Sequence, residues 1–164
     1  MKTIIHDLLD SDLKRFVFNK EDAVYNSLEC KNYCCGCFSC WTKHPCKCIY
    51  DDEFSQISYS LKESDELVLI TKNTFGSYSK KVKQVLERCL GYVLPYFEER
   101  EGLIHHKSRF ANKIKLSVYI YGEIAESEKE SLISLVKANS INLNAQNYEV
   151  HFLKNVKEMS KCLH

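Results

Sequence analysis

Seven of the chain's nine cysteines crowd between Cys30 and Cys48, and Cys34, Cys37, Cys40 and Cys48 stand in a C-x2-C-x2-C-x7-C spacing. Four thiolates on so short a loop suit a [4Fe-4S] cluster or, failing that, tetrahedral zinc. A disulfide framework would distribute its cysteines along the chain, so the clustering points to thiol chemistry or metal ligation in a reducing compartment. The further thiols Cys30, Cys35 and Cys46 make alternative ligation or a reversible disulfide feasible. Trp41 and His44 read as anchors of the loop, because His44, beside Pro45, has no partner at a metal-motif spacing. Cys89 and Cys162 stand apart and read as small buried apolar side chains.

A second group of chemistry-bearing residues, His105, His106, Lys107 and Arg109, lies in the aromatic-rich stretch 91–113, which has no clean period and reads as a long functional loop. Its bases suit a substrate or a polar subunit interface. No Ser-His-Asp order, paired-carboxylate signature, P-loop or Rossmann glycine fingerprint occurs, so hydrolase and NTPase readings have no support.

The elements that must position these groups alternate along the chain. Thr3 to Leu8 (TIIHDL) is a first strand, Asp10 to Phe18 a brief helix capped by Ser11, and Asp22 to Leu28 a weaker second strand. Phe54, Ile57 and Leu61 recur at helical spacing between Asp52 and Glu63. The run ELVLIT, Glu66 to Thr71, is the most strand-like and is expected at the sheet centre. A turn, NTFGSYS from Asn73 to Ser79, leads into a helix striped by Val82, Val85, Leu86, Cys89 and Leu90. Lys115 to Tyr121 is a fourth strand, Ser127 and Glu130 a capping box for a helix carrying Leu132, Leu135 and Val136, Tyr148 to Leu153 a fifth strand, and Asn155 to Leu163 a closing helix.

Five strands alternating with helices predict an α/β fold. The expected architecture is a doubly wound five-stranded parallel sheet of order 2-1-3-4-5, with helices on both faces and residues 1–164 forming one domain. Ligands of such sheets bind at the carboxyl ends of the strands flanking the switch in order, so the loops beginning at Asp7, Lys72 and Tyr121 are the expected walls of the site. With 23 basic and 22 acidic residues the chain has no charge excess for a nucleic acid, and it lacks the apolar run a membrane span needs. The opening MKTIIHDLLD reaches acids too soon for a signal peptide, so a cytoplasmic location is expected.

The segment CCGCFSCWTKHPCKCIYDD, then SDELVLITKNTFGSYSKKVKQVLER and the later HHKSRFANK, resembles the NAD(P)H-dependent FMN reductase and iron-sulfur flavoprotein branch of the flavodoxin-like superfamily. Cys34, Gly36, Cys37, Cys40 and Trp41, the pair Asp51 and Asp52, Ser64 with Asp65, and Lys83 fall in the order and spacing of those relatives. The resemblance implies an FMN at the switch point, contacted by Thr74, Phe75, Gly76, Ser77 and Tyr78 and by Tyr121 and Gly122. It also implies a nicotinamide cofactor, a small electron acceptor, and a homodimer in which His106 and Arg109 of a neighbouring subunit close the pocket. Cys34, Cys37, Cys40 and Cys48 would carry the cluster, although relatives with a tryptophan after the third cysteine keep the turn without one. An ordinary strand-to-helix turn at 73–78 is the plainer alternative.

One departure stands against FMN. Where such folds hold the phosphate with hydroxyls and backbone amides, this chain offers His6, Asp7, Leu8, Leu9 and Asp10, whose acids repel a dianion. The alternative is a flavin-free binding or regulatory module with a cysteine-rich metal or redox turn.

Overall fold

The computed structural model describes residues 1–159. Its strands are β1 (Lys2–His6), β2 (Ala23–Asn26), β3 (Glu66–Lys72), β4 (Val93–Arg100), β5 (Leu103–Ser108), β6 (Lys115–Tyr121) and β7 (Asn147–Leu153). Five of them form one parallel sheet in the order β2-β1-β3-β6-β7, which is the expected 2-1-3-4-5 once the antiparallel β4–β5 pair is set aside. The apolar run of β3 lies at the centre, buried from Leu67 to Thr71.

Alternation along each strand divides the core. Ile5, Leu67, Leu69, Leu116, Val118 and Ile120 face α2 (Ile57–Glu63), α3 (Lys80–Glu87) and α4 (Glu126–Asn142), which cover one side of the sheet. On the other side, among the described residues, Ile4, Val68, Ile70 and Tyr119 pack with Leu13 of α1 (Asp10–Leu13), Val156 and Met159 of α5 (Val156–Met159), and Leu8, Phe16 and Phe18 beside α1. The amino end of that face, uncovered among the described residues, carries charge: Lys2 pairs with Glu66 at 3.0 Å and Lys115 with Glu149 at 2.7 Å. Polar side chains there keep the bare sheet wettable.

Three elements differ from the sequence expectation. The helix expected from Asp10 to Phe18 stops at Leu13, and Leu9 precedes it without a side-chain cap, so Ser11 caps nothing. Beyond it Phe16 and Phe18 turn inward while Val17 is 97% exposed, the alternation of extended chain. The long loop expected over 91–113 is a β-hairpin, closed by Glu101 and Gly102 with φ of 51° and 76°, as a two-residue type I′ turn requires. The capping box expected from Ser127 and Glu130 is absent; α4 begins two residues earlier, with Ala125 in place of Ser127 at the cap, and Glu128 accepts from the Ala125 N–H at 3.0 Å. The closing helix is seen from Val156 to Met159, and the rest of that expectation, with Cys162, lies outside the described residues. Cys89 is buried as expected, and burial pushes its thiol up to about 12.

Candidate functional site

The turn after β3 and the end of β1 meet at the switch point, and a carboxylate joins them. Asp7 is buried, and its oxygens accept from the Lys72 N–H at 3.0 Å, the Thr71 hydroxyl at 3.2 Å and the Tyr121 hydroxyl at 2.9 Å. Burial and then Asp7 raise the Tyr121 phenol far above its usual range, so it remains a donor. Asp7 thus occupies the donors that line the floor of the crevice. The sequence showed it only as a repelling charge; an acid ending an apolar strand needs such partners, and that was the signal available.

The 73–78 turn is built by Asn73. Its side-chain oxygen accepts from the Gly76 N–H at 3.1 Å, and its Nδ2 donates to the Glu123 carbonyl at 2.7 Å and to Glu128 at 3.1 Å. Phe75 and Gly76 both adopt positive φ, 51° and 68°, and a Cβ on Gly76 would stand 3.0 Å from the Glu128 carbonyl oxygen. This clamp lifts the Phe75 ring to 92% exposure at the carboxyl end of the sheet, with Thr74 and Ser77 half-buried beside it. Tyr78 points the other way, into the core, where its hydroxyl accepts from Asn139 at 3.2 Å; it serves packing and offers no ring to a ligand. Gly122 follows β6 at φ 105° and donates its N–H to the Leu153 carbonyl.

FMN makes two demands on this end. Its ring needs a flat apolar partner and edge donors, which Phe75 and the half-buried turn residues can supply. Its phosphate needs free N–H groups at a helix start. Here α1 is one turn long with Asp10 and Asp12 in it, and the nearby donors are engaged by Asp7. The turn offers the ring an apolar face in Phe75, and the start of α1 does not suit the phosphate.

The cysteine turn packs against the other end of α3. Cys34, Cys37, Cys40 and Cys48 line one small pocket together with Tyr50 and Arg88. The Arg88 side chain is fully buried and grips Asp52 with bonds of 2.8 and 2.6 Å, while Asn32 donates to the same carboxylate at 3.0 Å. Burial works against the Asp52 charge, but those bonds outweigh it and hold the carboxyl below its ordinary range. The guanidinium also reaches the Cys30 sulfur at 3.7 Å. Burial, reinforced by the neighbouring Cys34, Cys48 and Cys37, pushes the Cys40 thiol up to about 11. Hydrogen bonds from Tyr50 and then Cys37 lower the exposed Cys35. Trp41 anchors the turn as expected, donating to the carbonyls of Leu90 at 2.8 Å and Val93 at 3.0 Å.

The sequence therefore grouped the four thiols correctly, and four sulfur donors fit a soft cation. Their placement does not: among the described residues no group of three or more His, Cys, Asp or Glu side chains is arranged to hold a metal ion. Neither an iron-sulfur cluster nor zinc is supported by this geometry. Arg88 and Asp52, which organise the turn, are a partnership the sequence did not reveal.

Sheet order, crossovers and the position of the crevice define a flavodoxin-like α/β protein. Among solved structures the chain is similar to an FMN-dependent NADH-azoreductase from Bacillus anthracis, determined in complex with FMN, with a TM-score of 0.59 and 13% identity over 99% of this chain and 97% of that one. At that identity the likeness establishes the fold. No protein-family model and no curated protein matches the sequence. Among the described residues no helix is long and apolar enough to cross a membrane.

Proposed function

We propose that this chain is an oxidoreductase or electron-transfer protein that binds FMN by its ring at the carboxyl end of the sheet, takes reducing equivalents from a nicotinamide cofactor and passes them to a small electron acceptor. The observation that carries the reading is the Phe75 ring, 92% exposed on a turn held in left-handed backbone at the switch point. Backbone strain of this kind persists where it serves a site, and an exposed phenyl invites a flat apolar partner. Thr74, Gly76 and Ser77 on one side, and Tyr121 and Gly122 on the other, are the polar edges of the same site. The similar azoreductase uses NADH and FMN, which supports the same ligand classes here. FMN, when bound, supplies the hydride and electron chemistry; the protein supplies position and polarity. Association as a twofold dimer and a cytoplasmic location, favoured by so many free thiols, complete the proposal.

The test is titration of FMN followed by quenching of its fluorescence. Saturable binding is expected, weakened roughly tenfold by Phe75→Ala, the loss of one ring stack. No saturable quenching by the wild-type protein up to millimolar concentrations sinks the reading.

A second reading is favoured by the Asp7 clamp, which engages donors a phosphate would need. In it the chain is a flavin-free binding or regulatory module whose cysteine turn is a metal or redox element, the thiols closing on a cation after rearrangement or on one another after oxidation. Metal analysis of anaerobically purified protein separates the cases: equal iron and sulfide mean a cluster, zinc a structural site, and neither a thiol switch.

A further inference from the structure

The helix-covered side of the sheet is not closed at its amino end. α3 stops at Glu87, a 3₁₀ turn from Arg88 to Tyr92 veers away, and α4 ends at Asn142, leaving a cavity of about 130 Å3 between them and the β4–β5 hairpin. Its floor is the sheet and α2, through Leu61, Leu67 and Leu116, all fully buried, and its walls include Leu86, Leu90 and Leu143. Among the described residues the polar side chains of its lining are His106, Asn139 and Asn142, with the Cys89 thiol turned to the Val85 carbonyl. Leu67 and Leu69, five and three residues before Lys72 on β3, line the cavity, which places it roughly 10–16 Å along the strand from the switch point.

We infer that this cavity is a binding site for a small aromatic ring carrying one hydrogen-bond donor, a phenol-sized molecule. An apolar cavity of about 150 Å3 admits a benzene ring, so the space here matches one six-membered ring. An unfilled apolar cavity lowers stability in proportion to its volume, and a filled one recovers that loss. The polar rim selects the substituent. His106 Nδ1 lies 2.8 Å from the Leu94 carbonyl, which can only accept, so Nδ1 carries a proton and in that tautomer Nε2 is an acceptor. Trp41 and Phe97 flank the imidazole with centroids 5.2 and 4.7 Å away and fix its orientation. Asn139 spends one Nδ2 hydrogen on the Tyr78 hydroxyl, leaving Oδ1 as a second acceptor and one N–H as a donor. The acceptors His106 Nε2 and Asn139 Oδ1 favour a ring with an O–H or N–H over a plain hydrocarbon, and an apolar lining without a cation disfavours a carboxylate.

The experiment is ligand-observed NMR titration of the full chain with phenol, benzene and benzoate. Phenol is expected to bind saturably with a Kd on the order of 1 mM or tighter, benzene about tenfold more weakly for want of the hydrogen bond, and benzoate not detectably. His106→Phe keeps a ring between Trp41 and Phe97, so it should weaken phenol about tenfold and leave benzene unchanged. Leu86→Trp should fill the chamber and remove both ligands, with its melting curve reporting that it folds; should it not fold, the His106→Phe comparison alone decides. Absence of saturable phenol binding to 20 mM, equal affinity for phenol and benzene, or phenol binding indifferent to His106→Phe overturns the assignment.

Discussion

Asp7 and His6, neighbours at the end of β1, show how one buried polar residue decides what its surroundings can do. Asp7 satisfies an amide and two hydroxyls, and those bonds hold β1, β3 and β6 together at the switch. His6 is as buried, and burial lowers its pKa below 6.5; the Leu8 N–H donates to its Nδ1, which fixes the neutral form. Above pH 6.5 both folded and unfolded chains carry neutral histidine, so His6 has no effect on pH dependence there. Below it the unfolded chain takes up the proton first, and stability should fall by up to about 1.4 kcal/mol per pH unit until the lowered folded pKa is reached. Denaturant melts between pH 7.5 and 5 check this: the His6→Gln variant should show a shallower decline over that window.

At the scale of elements, the cysteine turn packs closely against the 3₁₀ turn that follows α3. Gly91, in the 3₁₀ turn after α3, lets the Cys46 backbone approach so closely that a Cβ would meet the Cys46 Cα and the Ser58 hydroxyl at 2.9 Å. Backbone cannot yield as a flexible side chain would, so Gly91→Ala should cost about 1–3 kcal/mol, read as a lowered urea midpoint with an unchanged slope. Asp52→Asn leaves Arg88 buried with half its compensation and should cost about 3 kcal/mol by the same measurement. Arg88→Met, which removes the charge as well, should be milder; if it is the worse of the two, the pair is not organised by charge.

For the whole molecule, the contrast between the proposed ring site at Phe75 and a switch point whose donors Asp7 engages sets a ligand preference. A flavin held by its ring alone should bind as riboflavin or as FMN with affinities within about threefold at moderate salt. At low ionic strength the acids Asp7, Asp10 and Asp12 should favour riboflavin, because their repulsion of the phosphate is then least screened. Parallel titrations at about 20 and 300 mM salt read this directly; FMN binding tightly with riboflavin excluded would mean that a phosphate grip exists elsewhere.

Read without coordinates, the chain disclosed what neighbouring residues dictate. Apolar runs such as ELVLIT and KLSVYIY set strand identity, their alternation with helical stripes set the 2-1-3-4-5 sheet, and a loop too short to separate its thiols set the cysteine cluster. These signals lie within a dozen residues, the range over which backbone periodicity operates. The hairpin was hidden because Pro95 and a run of acids mask its strands, and because Glu-Gly is a weaker turn signal than Asn-Gly. Tertiary structure alone decided that Asp7 would meet Lys72 and Tyr121, 65 and 114 residues away, that Arg88 would find Asp52, and that Tyr78 would turn inward while Phe75 turned out. Hydrogen bonds and cavities depend on where distant side chains arrive, and no local pattern carries that information.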